Sequence, residues 1–295
     1  MKIYALNGMQ KHCKMVERQV SLVGSVVLRG IRTGTDVQLL EGSHRMAYAI
    51  EQGVPVHIVL FGEDEVIPHD CDCDSDATGL PDRATAGELA RQLLTERGLY
   101  HQAVYESGEH ANVHVVDGGG NGRAAHARLL QERGSPFCAF PEKVWAILFG
   151  ETDVYEKQVL VLGGEAQATA LARLGARVTF REGTQFEGLK EGQFDLLYAL
   201  GMSCRSNDLC GLMNNYQCLL KSKGLLVILD AHPFANAQKQ QRRCDDLRPQ
   251  PDGKIYWRFS DFTRWIPAAG LKPYAYIEVQ GEDALPEWLA CFAHK

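Results

Sequence analysis

Gly42-Ser43-His44-Arg45 is the first run in this chain whose residue types and order suit chemistry. Glycine lets the backbone approach a ligand closely. Serine at a helix start can cap it, and the free amides of a helix N-terminus attract anions. Arg45 offers a planar, bidentate phosphate contact, and His44 adds a donor. The alternative is structural: Ser43 caps the helix and Arg45 pairs with Glu41. A second group is Gly163-Gly164, a glycine turn between the apolar run Val159–Leu162 and an Ala-rich segment. A third is Asp230 with His232, a carboxylate and an imidazole just beyond the apolar run Gly224–Asp230. At the carboxyl edge of a parallel sheet, where ligands bind in open α/β folds, His232 and Asp230 are candidate catalytic acid–base groups. The alternative there is an Asp230 cap and a His232 surface loop ahead of Pro233.

Other concentrations of reactive types are weaker. His69-Asp70-Cys71-Asp72-Cys73-Asp74 gathers metal-ligand types, but no second pair stands at zinc-finger spacing. A solvated acidic loop is the favoured reading, and no metal site is expected. Cys204 and Cys210 show no adjacent base. Gly118, Gly120 and Gly122 follow the strand-like Val113–Val116 and precede a helix over 124–132. Ser135-Pro136-Phe137 then breaks the pattern of a second nucleotide loop. The expectation is a loop over the cleft, with Arg123 and His126 as substrate contacts, or a plain structural turn.

The elements that position these residues follow from periodicity. In the second half, apolar runs at 159–162, 177–180, 194–200 and 224–230 read as strands, with helices over 166–174 and 209–220 between them. Continuous apolar strands between helices imply a parallel sheet covered on both faces. In the first sixty residues, Ser21–Val27 reads as a helix end and turn, 37–40 as a strand, 46–52 as a helix capped by Gly53, and 54–60 as a strand. Thr85–Arg97 reads as an amphipathic helix.

The words "VLVLGGEAQATALARLGARVTF", "GQFDLLYALGMS", "CLLKSKGLLVILD" and "YWRFSDFTRWIPAAGLKPYAYIEV" together resemble the class I S-adenosylmethionine-dependent methyltransferases. The resemblance runs from near Phe140 to the end. It implies S-adenosylmethionine as cofactor, a small molecule as acceptor, and cofactor contacts from Gly163, Gly164, Glu165, Glu182 and Gly201. Glu182, past the second strand, takes the place of the family's ribose-binding acid. The chain departs from the family at Glu165-Ala166-Gln167, where further glycines usually stand, so the loop is short. It departs again at residues 181–193. A parallel crossover needs about 10–12 residues and a further strand about five more, so the family's third strand is expected to be missing.

"LLEGSHRMAYAIEQGVPVHIVL" resembles the ParB/sulfiredoxin superfamily. That resemblance implies nucleotide phosphates, from ATP or CTP, at Gly42, Ser43, His44 and Arg45. Some members are small-molecule kinases with an acidic base from an earlier segment, where Glu17 and His12 lie. The long basic DNA-binding region of partition proteins is not in the sequence.

Composition sets the outer bounds. The chain has 295 residues and a formal net charge of −6. That balance argues against non-specific nucleic-acid binding. Apolar runs are shorter than a membrane span. Nine cysteines and no signal-peptide pattern lead to the expectation of reduced thiols in a cytoplasm. The expected fold is α/β: a small α+β ParB/sulfiredoxin-like domain over 1–75, a helical and loop linker over 76–140, and a Rossmann-like methyltransferase sheet lacking its third strand over 141–295. The expected function is methyl transfer to a small molecule, with an N-terminal nucleotide- or phosphate-binding unit. The alternatives are an ATP/ADP-dependent small-molecule kinase, or a non-enzymatic nucleotide-binding protein with a degenerate methyltransferase domain.

Overall fold

The computed structural model describes residues 1–5, 17, 20–21, 23–67, 84–95, 102–106, 112–232, 255–280 and 286–295. His12 and the stretch His69–Asp74 lie outside the described residues. The chain divides into two units, Met1–Cys138 and Ala139–Lys295.

The first unit contains β1 (Lys2–Ala5), β2 (Val26–Thr33), β3 (Asp36–Leu39), α1 (Ser43–Glu51), β4 (Val56–Phe61), α2 (Ala86–Thr95), β5 (Gln102–Glu106), β6 (Val113–Asp117) and α3 (Gly122–Glu132). Its strands form one mixed sheet in the order β5-β1-β3-β2-β4-β6. β2, β4 and β6 run parallel, β1 is parallel to β3, and the β2–β3 and β1–β5 pairs are antiparallel. β4 is buried along its whole length, as a strand covered on both faces must be. Val26 and Val27, expected in a turn, instead open β2. A fully buried Arg29 in the middle of that strand breaks its apolar pattern.

The stretch 76–140, expected as a linker, supplies both edge strands of this sheet, β5 and β6. It also supplies α3, whose Ala125 packs with Val27 and Val59. The glycine loop before α3 is closed from within. Both carboxylate oxygens of Glu65 accept from Gly122 N, at 2.7 and 2.8 Å, and Gly62 N donates to the same group. An internal carboxylate thus takes the place at the helix N-terminus that a phosphate would occupy. Asn121 completes the cap by accepting from Ala124 N. The structural-turn alternative describes this loop.

The second unit contains α4 (Glu142–Glu151), β7 (Gln158–Leu162), α5 (Glu165–Arg173), β8 (Arg177–Arg181), β9 (Phe194–Leu200), α6 (Leu209–Leu219), β10 (Leu220–Ala231), α7 (Phe259–Ala268), β11 (Lys272–Gln280) and β12 (Pro286–His294). The strand order is β11-β12-β10-β9-β7-β8. β8, β7, β9 and β10 are parallel, and β12 lies antiparallel between β10 and β11. Val159 to Leu162 are completely buried, as the apolar runs require.

β8 is the sheet's edge, and residues 182–193 form no strand. The expected absence of a third strand is what the topology has. The short connection does part of the missing layer's packing: Phe186 stands edge-on to Tyr216 with ring centres 6.1 Å apart, and Leu189 packs on the same core. Gly192 N and Gln193 N then donate to Cys218 O and Leu219 O at the end of α6. Among the described residues no helix is long and apolar enough to cross a membrane, and Cys138, Cys204, Cys210, Cys218 and Cys291 are free thiols.

Candidate functional site

In the first unit, the turn before α1 is built on Gly42, at φ 74° and ψ 27°. A side chain there would be strained, and its Cβ would stand 2.5 Å from Leu28 Cδ2 and 2.9 Å from Arg45 Nη2. Glycine is therefore what lets the Arg45 guanidinium fold over the turn. Ser43 does not cap the helix. Gly42 holds the N-cap position, and Ser43 begins the first turn with its hydroxyl buried and without a hydrogen-bond partner among the described residues. Arg45 Nη2 lies 3.0 Å from Glu41 Oε2, so the Arg45–Glu41 pairing weighed as the structural alternative is present.

Sequence reasoning missed the third member. Arg29 Nη2 reaches the same Glu41 oxygen at 3.1 Å from the middle of β2. Its only sequence signal is an arginine inside an apolar strand. Burial pushes the Glu41 carboxyl up, but the two guanidiniums overcome this and hold it at about 2. His126, expected at the cleft surface, is buried beside this group, because α3 turns it toward the sheet. Burial lowers its pKa to about 4, partly opposed by Glu41. Arg123 on the same helix is exposed, and His44 is half-buried. Gly42, Ser43 and Arg45 thus meet Arg29, Glu41 and His126. An open recess borders Arg45, with Ser25, Ser135, Val27, Leu130 and Phe137 among its walls.

In the second unit the candidate cofactor residues converge on one edge. β7 lies between β8 and β9, with Leu162 level with Arg181 and Ala199. Gly163, Glu182 and Gly201 follow directly at the carboxyl ends of these strands, and Gly163 N donates to Arg181 O at 2.8 Å. Glu182 is exposed, and its carbonyl accepts from Arg205 Nη1 at 3.4 Å. Gly163 has φ 78°, and a Cβ on it would fall 2.4 Å from Met202 Cε and 2.5 Å from Leu200 O. Its immediate reason is thus close packing against the end of β9. Gly164 is buried as the N-cap of α5, and Gln167 folds back beside it to donate from Nε2 to Ala139 O. Glu165 is exposed in the first turn of α5. Gly201, at φ 62°, faces open space.

Asp230 and His232 lie at the end of β10, both buried. Asp230 Oδ2 accepts from Ser203 N at 2.8 Å and Oδ1 from Ala231 N at 3.1 Å. Burial raises its pKa, against these hydrogen bonds. Rather than standing in a surface loop, His232 extends the sheet: its N–H donates to Glu287 O at 2.8 Å, and its Nε2 lies 3.2 Å from Glu278 Oε1. Burial lowers the imidazole's pKa, with Glu278 acting the other way.

No protein-family model matches the chain, and no curated protein matches it. Solved structures do. One is a candidate S-adenosylmethionine-dependent methyltransferase from Listeria monocytogenes, at 15% identity over 49% of this chain and 93% of that one, TM-score 0.40. Another is an S-adenosylmethionine-dependent methyltransferase from Mesorhizobium loti, at 13% identity over 55% and 99%, TM-score 0.38. A third is 1,6-didemethyltoxoflavin-N1-methyltransferase from Burkholderia thailandensis, solved with S-adenosylhomocysteine, at 17% identity over 59% and 85%, TM-score 0.39. At this level of identity and superposition no residue's role follows from the likeness.

Proposed function

We propose that the second unit is a methyltransferase-like unit that binds S-adenosylmethionine weakly at the carboxyl edge of its sheet and serves a small-molecule acceptor. The observation that carries this reading is the convergence of Gly163, Glu182 and Gly201 at the ends of three adjacent parallel strands, β7, β8 and β9. In an open α/β sheet that is where ligands bind, and an exposed acid one residue past the second strand suits ribose hydroxyls. Weak affinity follows from three features. The glycine turn packs on Met202, Gln167 folds over Gly164, and the absent third strand removes a wall beside an adenine. Methyl transfer from a sulfonium needs alignment more than acid–base groups, so the burial of Asp230 and His232 at the end of β10 does not count against the reading. Calorimetric titration of the full chain with S-adenosylmethionine and S-adenosylhomocysteine tests the reading. Binding is expected in the high-micromolar to millimolar range. Glu182→Ala is expected to weaken it by about 1–3 kcal/mol, since the ribose hydroxyls lose their acceptor. No heat at millimolar ligand, or equal binding by the variant, contradicts it.

A second reading concerns the first unit, and the Ser43 hydroxyl, which has no hydrogen-bond partner among the described residues, favours it. A buried hydroxyl without a hydrogen-bond partner costs free energy unless a ligand supplies one. Here it sits in the first turn of α1, two residues before Arg45, which borders a recess. We infer a ParB/sulfiredoxin-like unit that binds a phosphate group of ATP, ADP or CTP at Gly42, Ser43, His44 and Arg45. Ser43→Ala is the discriminating variant. If the hydroxyl serves a ligand, the variant keeps or gains up to about 1 kcal/mol of stability while nucleotide affinity falls several-fold. Unchanged affinity for all three nucleotides leaves the turn a structural one.

A further inference from the structure

The turn after β9 is tied down from several directions. Gly201 N donates to Leu229 O at 2.8 Å, and Cys204 Sγ to Gly201 O at 3.2 Å. From the segment leading into α7, Trp257 Nε1 donates to Ser203 O at 2.9 Å and Ile255 N to Cys204 O at 2.8 Å. From beneath, Asp230 Oδ2 accepts from Ser203 N at 2.8 Å. The peptide on either side of Ser203 is therefore held at its N–H by Asp230 and at its carbonyl by Trp257. Ile255–Trp257 forms a strap across a turn whose floor is a buried carboxylate.

Asp230 is badly placed for proton transfer to a substrate. It is only 4% exposed, and its two oxygens face the backbone amides of Ser203 and Ala231 and the side chains of Ser203 and Cys204, all within the same turn or strand end. The side chains whose titration it influences, the Tyr216 phenol and the Cys291 thiol, are themselves buried, so no exchange with solvent passes through them. A group that must accept a proton has to reach the atom that loses it. A buried carboxylate that accepts an amide at 2.8 Å is suited instead to fixing a backbone turn.

We propose that Asp230 is a positioning residue that locks the 201–205 turn under the Ile255–Trp257 strap. The closed lip confines an adenosyl ligand to the ends of β7, β8 and β9, away from β10. The inference rests on the adenosyl-ligand reading for its ligand and on the hydrogen bonds above for its mechanics.

The test combines amide hydrogen exchange with calorimetric titration of S-adenosylhomocysteine, on the full chain. Asp230→Ala is expected to speed exchange at 201–205 and at 255–257 tenfold or more, and to weaken the ligand by a similar factor. Asp230→Asn keeps an oxygen for the Ser203 amide and is expected to hold both quantities within threefold of the native protein. The proposal is overturned if Asp230→Ala leaves exchange in the two segments unchanged, or if Asp230→Asn loses as much as Asp230→Ala, which would assign the effect to the ionisable group. Should Asp230→Ala not fold, Trp257→Phe removes the strap's side-chain donor alone. Faster exchange at 201–205 then supports the lip, and unchanged exchange overturns it. If the native chain binds no S-adenosylhomocysteine at millimolar concentration, the adenosyl reading fails, while the exchange arm still decides the role of Asp230.

Discussion

Glu41→Gln is expected to destabilise the first unit by about 3–5 kcal/mol, because it leaves the buried Arg29 and the nearly buried Arg45 facing a neutral amide. The titration of Glu41 gives a similar size. A fall from 4.5 to about 2 is worth about 3 kcal/mol, since each unit is about 1.4 kcal/mol. The measurement is hydrogen exchange of the β2 and β3 amides, where a loss of 3 kcal/mol reads as exchange about a hundredfold faster. Acceleration below threefold would mean that the guanidiniums are not held by this carboxylate. The pH dependence has a fixed sign. Both groups have folded pKa values below their unfolded ones. The unfolded chain therefore binds more protons, and acid removes stability. His126 contributes first, as pH falls from 6.5 toward about 4. Glu41 contributes next, from 4.5 toward about 2. Glu41→Gln is expected to flatten the lower window and to extend the upper one further into acid, because the carboxylate that opposes the lowering of the His126 pKa is gone.

Gly163→Ala has the second largest expected effect. The position has φ 78°, and a Cβ there meets Met202 and a backbone carbonyl that cannot swing away. The left-handed backbone costs about 1–2 kcal/mol for a non-glycine residue, and overpacking adds about 1–3. Gly201→Ala is the control. It has nearly the same φ, 62°, but open space for the methyl group, so about 1–2 kcal/mol is expected. Tryptophan fluorescence in urea reports on the second unit alone, because Trp145, Trp257, Trp265 and Trp288 all lie there. Equal losses in the two variants would show that the contact with Met202 does not matter. The comparison also separates two demands on the glycine turn, ligand approach and packing against β9.

The second sheet was legible in the sequence because its central strands β7, β9 and β10 are largely buried and read as apolar runs. Counting residues between Phe180 and Phe194 was enough to anticipate the missing strand, since chain length limits what can be built whatever the side chains. The first unit was harder. β2 hides behind Arg29, whose burial makes sense only with Glu41 placed against it by the β2–β3 pairing. The edge strands β5 and β6 come from a stretch with turn-rich neighbours, and nothing local says that they join a sheet formed by residues far earlier in the chain. The same non-local logic governed the candidate sites. Gly42 and Arg45 were readable because they lie in one turn. Arg29 and the Glu65 carboxylate were not, because only the fold brings them to the ends of helices distant in sequence, and His126 was singled out as a substrate contact where the fold buries it near Glu41. At the second site, the positions of Gly163, Glu182 and Gly201 followed from strand ends. That Asp230 faces an amide and not a cleft depends on the turn after β9, which periodicity does not specify.

The central claim is that the ends of β7, β8 and β9 bind an adenosyl ligand. Its most direct test is amide chemical-shift mapping of the full chain under titration with S-adenosylhomocysteine, a method that detects weak binding. The account predicts saturable shifts at Gly163, Gly164, Gly183 and Gly201, with the Gly118–Gly122 amides unmoved because Glu65 already fills that helix end. Shifts confined to the first unit, or none at millimolar ligand, would contradict it.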